Sequence, residues 1–398
     1  MEKAERIYQE LLQEKTGIWY ISDEYGSKII IKVPSSILKA IIKGCKIELV
    51  FGLDNNIFHI GVKIYDDPIN FITLINTQKN MDEHLSIAKI MHLDKVQIQL
   101  YNELCVCQCF GDIVLTTKNK NDILCLLGNP KKLYVGVIDE KINQSADNFQ
   151  YSLGLDIPNN HGSFNKVETL VIEAKIQNFQ TMNNEFVEDT GIVSTEISDS
   201  DEGTLLEKEV FVVLRSLFGS NIYHSPQIAI KTPKQRELID ILAFSDNGIF
   251  LIESKALGVN NSSEDRNMDR KIKGLQKQIE KGIKQIVGAY KEISEEGLIY
   301  TASGEKIEFN RTLPPCGIVL VSELLTFGDW EDILSKLMKA MSENGILIHI
   351  MDLYELMQFI GHSKNDKDLF DYYLMERIQS FVENPSILIQ TKFIKSNE

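Results

Sequence analysis

Between Glu237 and Ala256 the chain sets a problem that its fold must solve. Glu-Leu-Ile-Asp-Ile-Leu-Ala-Phe, a Ser-Asp-Asn-Gly turn and Ile-Phe-Leu-Ile-Glu-Ser-Lys-Ala read as two apolar strands joined in a β-hairpin, with Asn247-Gly248 at or near its tip. Charged residues interrupt both runs: Asp240 in the first, Glu253 and Lys255 in the second. Strand side chains alternate, so Glu253 and Lys255 share a side with Ile249 and Leu251, whereas Phe250, Ile252 and Ser254 face the other way. Carboxylates and an ammonium on an otherwise buried strand are costly to desolvate unless something pairs with them. A bound metal ion would do so.

The 398 residues are 43% hydrophobic, enough to bury a sizeable core, and the length suggests two domains. No run of apolar residues is long enough to span a bilayer, and the start, Met1-Glu2-Lys3-Ala4-Glu5-Arg6-Ile7, is amphipathic rather than leader-like. These features predict a soluble, unprocessed, cytoplasmic protein with no membrane partner. Six cysteines are too few for a disulfide scaffold in so long a chain. Cys105, Cys107 and Cys109 alternate along one predicted strand and read as buried free thiols, since no Cys or His pair at zinc spacing accompanies them.

A net charge of -15 argues against a polyanionic partner, but it is unevenly spread. From Thr204 to Tyr300 there are 14 Lys and Arg against 13 Asp and Glu, so the acidity lies elsewhere.

After a short N-terminal helix to about residue 16, the first half reads mostly as strands: Gly17 to Ile21, Lys28 to Val33, Lys46 to Phe51, Ile57 to Ile64, Val96 to Leu100, Cys105 to Phe110, Leu133 to Ile138 and Val167 to Ile176. Short helices are expected after Pro34 and between Met81 and His92. His59, His84, His92 and His161 lack the spacing of a metal site. Residues 1–180 are therefore predicted to form a mostly-β (α+β) domain of recognition or regulatory type, with a ligand or protein partner that its residues do not name. The polar, acidic stretch 181–203, closing on Ser198-Asp199-Ser200-Asp201-Glu202-Gly203, has the composition of a linker.

Residues 204–398 change period. Thr204 to Phe218 reads as a helix with Val210, Phe211 and Leu214 inward, Thr204 as a plausible N-cap and Gly219 as its stop. A strand from Ile222 to Lys231, the charged hairpin and a long helix from about Asp269 to Ile293 follow. A strand at Gly317 to Val321, a helix at Trp330 to Met341, a strand at Ile346 to Ile350 and helices at Leu353 to Ile360 and Asp366 to Val382 complete the chain. The order predicts a mixed α/β class: a central mixed sheet covered by helices on both faces.

A helix carrying an acid, Glu237-Leu238-Ile239-Asp240 on one strand and Gly248-Ile249-Phe250-Leu251-Ile252-Glu253-Ser254-Lys255 on the next, with an Asp followed 13 residues later by Glu-X-Lys, resembles the PD-(D/E)XK nuclease superfamily. With Tyr223-His224 upstream, it is most similar to the nuclease-related-domain branch. The resemblance covers roughly residues 204–360. It implies a restriction-endonuclease-like α/β/α domain and a Mg²⁺-dependent (or Mn²⁺-dependent) nuclease. DNA would be its substrate, RNA stays open, and a homo-oligomer is compatible with the family. By analogy, a role in bacterial defence against foreign DNA would suit such an enzyme. The pattern departs from the family at Ile239, which stands where proline usually precedes the acid, and Pro233 lies too far upstream to replace it.

Mg²⁺ prefers hard oxygen ligands, one or two carboxylates with waters and substrate phosphate. Asp240 and Glu253 supply that pair, and the resemblance adds the Ser254 carbonyl. Lys255 would orient or deprotonate the attacking water. Glu207 would be the helix acid that completes the site, with Glu209 its rival and a simple capping-box role for Glu207 the alternative. On the long helix Arg270, Lys273, Lys277, Lys281, Lys284 and Lys291 fall on one face at steps of 3, 4, 4, 3 and 7, either a ridge that tracks a phosphate backbone or a solvated face. Gln278 and Gln285 are weaker candidates for substrate contact, because Gln285 to Tyr290 is five residues, not the four that stack on one face. His224 is either a substrate contact or an ordinary strand-end histidine.

Overall fold

The computed structural model describes residues 3–67, 71–155, 157, 163–188, 191–197, 202–229, 236–256, 268–295, 297–326, 328–389, 391 and 393. The chain is mixed α/β and divides into two compact units: residues 1–184 with 196–198, and residues 185–195 with 199–398. His161, Lys231 and Pro233 lie outside the described residues. No helix among the described residues is long and apolar enough to cross a membrane.

The first unit opens with α1 (Lys3–Gln13), β1 (Gly17–Asp23), β2 (Gly26–Lys32), α2 (Ser35–Ile42), β3 (Ile47–Asp54), β4 (Ile57–Ile64), β5 (Ile72–Gln78) and α3 (Met81–Met91). It continues through β6 (Val96–Tyr101), β7 (Cys107–Ile113), α4 (Thr117–Leu127), α5 (Glu140–Ser152), β8 (Glu168–Ala174) and β9 (Ile176–Thr181). Its strands form two sheets, ordered β1-β2-β6-β7-β9 and β5-β4-β3-β8. Every residue of β4 is buried, so that strand is covered on both faces. The core between the elements is aliphatic and aromatic, with Ile18, Ile29, Ile31, Leu49, Phe51, Phe58 and Ile98 fully excluded from water.

Two features of this unit correct the sequence reading. Leu133 to Ile138 is not a strand: Tyr134 N–H donates to the Asn56 carbonyl at 2.8 Å and Gly136 N–H to that of Lys79 at 3.1 Å, so the segment ties two separate turns instead of joining a ladder. Val137 is left 77% exposed. Cys105 does not alternate with Cys107 and Cys109 on a strand either. It sits in the turn between β6 and β7 at φ 59°, and only the other two lie in β7. All six cysteines are free thiols. Helices α4 and α5, missed in the sequence, are set by side-chain caps: Thr116 accepts from Asn119 N–H at 3.1 Å and Asp139 from Ile142 N–H at 3.0 Å.

The acidic stretch expected as a linker carries structure. Thr181 closes β9, β10 (Asn183–Glu188) and β11 (Gly191–Glu196) pair as a two-stranded sheet, and α6 (Glu202–Phe218) begins before the stretch ends. Thr204 therefore stands inside α6 rather than capping it.

The second unit continues with β12 (Ile222–His224), β13 (Gln227–Ala229), β14 (Arg236–Glu237), β15 (Ile241–Phe244), β16 (Ile249–Lys255), α7 (Met268–Ser294), β17 (Leu298–Tyr300) and β18 (Pro315–Val321). It ends with α8 (Glu331–Asn344), β19 (Leu347–Asp352), α9 (Leu353–Ser363) and α10 (Lys367–Glu383). The strand expected from Ile222 is broken at Ser225, whose φ of 46° and following Pro226 turn the chain into a second, three-stranded sheet, β14-β13-β17. The main sheet runs β12-β15-β16-β18-β19, antiparallel from β12 through β16 and parallel from β16 to β19.

Helices cover both faces of this sheet. On one, Ile249, Leu251 and Val319 meet Leu275, Ile279, Ile283 and Ile286 of α7, and Gly282 allows the helix to approach Val319 so closely that an added Cβ would lie 2.8 Å from its Cγ1. On the other, Phe250 packs against Phe218 of α6 at 5.1 Å and Phe370 of α10 at 6.1 Å between ring centroids. Burial on both faces explains why β16 reads as a continuous apolar run. Arg377 of α10, buried, donates to both Glu355 carboxylate oxygens at 2.8 and 3.1 Å and to the Ile350 carbonyl at 2.7 Å, joining α10 to α9 and β19.

Candidate active site

The hairpin forms with a four-residue turn whose organiser is Ser245. Its hydroxyl accepts from Asn247 N–H at 3.1 Å and Gly248 N–H at 3.0 Å, and its N–H donates to the Gly248 carbonyl at 3.0 Å. Pairing of β15 with β16 runs from Phe244↔Ile249 to Ile241↔Ile252. Asp240 is thus not inside a strand but one step before β15, where its carbonyl accepts Ser225 N–H at 2.7 Å. Continuing the register by that step sets Asp240 opposite Glu253, and residues directly opposite in an antiparallel pair project on the same face. Lys255, two further on, projects there too.

Three acids and one cation therefore gather at this end of the sheet. Asp240 and Glu253 are buried, and Lys255 is 8% exposed. The Lys255 ammonium bonds Glu253 Oε1, whereas Glu253 Oε2 is buried with no hydrogen-bond partner among the described residues. Asp240 Oδ2 accepts the Ser254 N–H at 2.7 Å, which satisfies a strand amide that lies beyond the end of the β15 ladder. Glu207 reaches the cluster from α6. Its Oε2 lies 4.0 Å from His224 Nε2, and the His224 ring packs 5.4 Å from that of Phe211.

Repulsion among these groups is visible in their acidities. Burial, then Asp240, Glu237 and Glu253, pushes the Glu207 carboxyl up to about 7. Burial and Asp240 push Glu253 up, against the pull of Lys255, and burial raises Asp240 in the same way. One lysine does not neutralise this many carboxylates, so the cluster favours either protons or further positive charge. Glu207 of α6 interacts electrostatically with Asp240 and Glu253, and Glu209, on the same helix, is buried.

A cleft of about 210 Å³ opens on the cluster. Asp240, Glu253 and Glu237 line it together with Gln285, Gly288 and Glu292 of α7, and Arg236 pairs with Glu292 beside it. Gln285, the one predicted α7 residue that lines the cleft, falls with Gly288, Ala289 and Glu292 at successive helical positions of one face, a stripe less conspicuous in the sequence than the lysines. Gln285 Oε1 is buried without a hydrogen-bond partner among the described residues.

The other predicted residues lie elsewhere. Gln278 is half-buried and does not line the cleft, and Lys273, Lys277, Lys281 and Lys284 are exposed and outside it. Lys284 is bound to Glu280, which also receives Lys336 at 2.8 Å. Arg236, Glu237, Gly288 and Glu292 were not singled out as site residues from sequence.

Among the described residues, no group of three or more His, Cys, Asp or Glu stands in ligating geometry. The donor set nonetheless suits a hard divalent cation. It offers carboxylate oxygens, one of them buried and unpartnered, in a cluster short of positive charge beside an open cleft. No protein-family model, curated protein or solved structure matches this chain.

Proposed function

We propose that the second unit is a divalent-metal-dependent phosphodiesterase acting on nucleic acid, with DNA as substrate and endonucleolytic cleavage as its reaction, in the cytoplasm. The observation that carries this reading is the convergence of Asp240, Glu253 and Lys255 on one face at the end of the β15–β16 pair, with Glu253 Oε2 unpartnered among the described residues and a cleft opening onto Asp240 and Glu253.

Asp240 and Glu253 would hold Mg²⁺ or Mn²⁺ together with the Ser254 carbonyl, and Glu207 would complete the acidic shell. Bound there, the ion would supply charge neutralisation at phosphate and a more acidic water. The protein's own part is positional. Lys255, paired with Glu253, would orient an attacking water, and the Ser254 amide holds the Asp240 carboxylate. Gln285 offers an amide to whatever enters the cleft, and Gly288 leaves room for it, since no atom lies within 4 Å of where its Cβ would be.

The test is cleavage of plasmid, linear and single-stranded DNA and of RNA with Mg²⁺ or Mn²⁺, for wild type, Asp240→Ala and Lys255→Ala. Loss of a base or water-positioning group of this kind lowers rate by about 100-fold or more. Equal inertness of all three proteins on every substrate would sink the proposal.

A second reading has one observation in its favour. The Lys255–Glu253 ion pair and the Ser254–Asp240 hydrogen bond partly satisfy the triad internally, as in a non-catalytic binding relative. Calorimetry separates the two, because that reading requires no divalent-cation binding that disappears in Glu253→Ala.

A further inference from the structure

The first unit contains a second arrangement of reactive groups, unrelated to the cleft. Lys32, the last residue of β2, has no exposure to solvent. Its ammonium nitrogen donates to the Leu11 carbonyl near the end of α1 at 2.7 Å and lies 2.9 Å from Cys105 Sγ. The same sulfur donates to the Leu11 carbonyl at 3.0 Å, so nitrogen, sulfur and carbonyl oxygen lie within hydrogen-bond distance of one another.

Cys105 is held there by its backbone. Asn102 Oδ1 accepts from both Leu104 N–H and Val106 N–H at 3.1 Å, and Cys105 N–H donates to the Asn102 carbonyl at 3.0 Å. Within this turn Cys105 adopts a left-handed φ of 59°, a conformation unfavourable for a residue with a side chain. Asn or Gly would occupy such a position at less cost; a cysteine here aims its sulfur at a buried amine. The two residues differ in access: Cys105 is half-buried, whereas Lys32 is enclosed. Burial pushes the nearby Cys107 thiol up and that of Cys109 up to about 12, which keeps both in the unreactive thiol form.

We propose that Lys32 and Cys105 form an oxidative covalent cross-link, a sulfenamide between Nζ and Sγ. A hydroperoxide oxidises the Cys105 thiol to a sulfenic acid, transferring one oxygen and releasing water when the oxidant is hydrogen peroxide. The Lys32 ammonium releases one proton to solvent, and the lone pair of the resulting amine attacks sulfur. The N–S bond forms, the S–O bond breaks, and the departing hydroxide leaves as water with a proton from nitrogen. Condensation of a sulfenic acid with nitrogen is established thiol chemistry. The net change is the loss of two hydrogens from the protein, and a thiol reductant restores both side chains. The bond ties β2 covalently to the turn between β6 and β7, beside the end of α1.

The test treats the full-length protein with hydrogen peroxide and maps the product by mass spectrometry before and after thiol reduction. The expected product lacks two hydrogens and yields a peptide joining Lys32 to Cys105, which also blocks tryptic cleavage after Lys32. Reduction reverses it, it persists in the Cys107→Ala, Cys109→Ala double variant, and it disappears in Cys105→Ala. Cys105 recovered as sulfinic or sulfonic acid beside free Lys32 would overturn the proposal. So would a disulfide to Cys107, or a thiol left unmodified by peroxide. Because mapping of wild type alone discriminates these products, a variant that fails to fold does not protect the idea.

Discussion

At the scale of single residues, the cleft is defined as much by what is absent as by its acids. Gly288 of α7 faces the cleft, and a side chain there meets no atom within 4 Å of its Cβ. Gly288→Leu should therefore fold at least as stably as wild type, since glycine inside a helix costs roughly 1 kcal/mol relative to good helix formers, yet lose cleavage by occupying the substrate's space. Circular dichroism with an activity assay checks this; full activity would mean that substrate does not use this cleft. In the first unit, His59 is enclosed between Thr77 Oγ1 at 2.9 Å and Ser145 Oγ at 2.8 Å and stacked on Phe149. Burial lowers its pKa from the ordinary 6.5 to about 4. The folded state thus binds fewer protons than the unfolded one in that interval, so the stability His59 contributes is present above pH 6.5 and is lost as pH falls towards 4. The full effect is on the order of 3 kcal/mol. Urea unfolding of wild type and His59→Gln at several pH values should show a shallower pH slope in the variant between those limits.

At the scale of elements, the order of helices and strands in the second unit was legible because each repeats its period clearly. The long α7, with Ile272, Leu275, Ile279, Ile283 and Ile286 on one face, and the apolar β16 are such cases. What the pattern did not reveal were features settled by single hydrogen bonds or by contact. The break at Ser225 puts β12 and β13 in different sheets, and Leu133 to Ile138 has strand composition but no neighbouring strand to pair with. Gly282 is an instance of contact deciding against propensity. In an isolated helix Gly282→Ala would gain about 1 kcal/mol. Here the new methyl would press on buried Val319, so Gly282→Ala should be destabilising and Gly282→Val more so, by about 1–3 kcal/mol as for other overpacked cores. Thermal unfolding of both variants checks the sign, and a more stable Gly282→Ala would show that α7 can shift away from the sheet.

At the scale of the whole molecule, charge distribution bears on what the chain can bind. Its net -15 contrasts with the near-neutral segment from Thr204 to Tyr300, whose exposed Lys273, Lys277 and Lys281 lie along α7 outside the cleft. If these lysines contact phosphate, replacing all three with Gln should reduce the slope of log affinity against log salt by roughly 2–3, at about 0.9 per phosphate on duplex DNA. An unchanged slope would assign them to the solvated face. The sequence by itself determined the mixed α/β class, the strand-rich first half and a charged hairpin with Glu253 and Lys255 on one side of its second strand, while the β15–β16 register added Asp240 to that side. These follow from local periodicity and from strict alternation along a strand. Only the tertiary structure decided that Glu207 comes close to Asp240 and Glu253, that Gln285, Gly288 and Glu292 line the cleft, and that Lys32 meets Cys105. Those juxtapositions bring together residues from separate elements, and the angle at which a helix lies on a sheet is fixed by side-chain packing that no local pattern encodes.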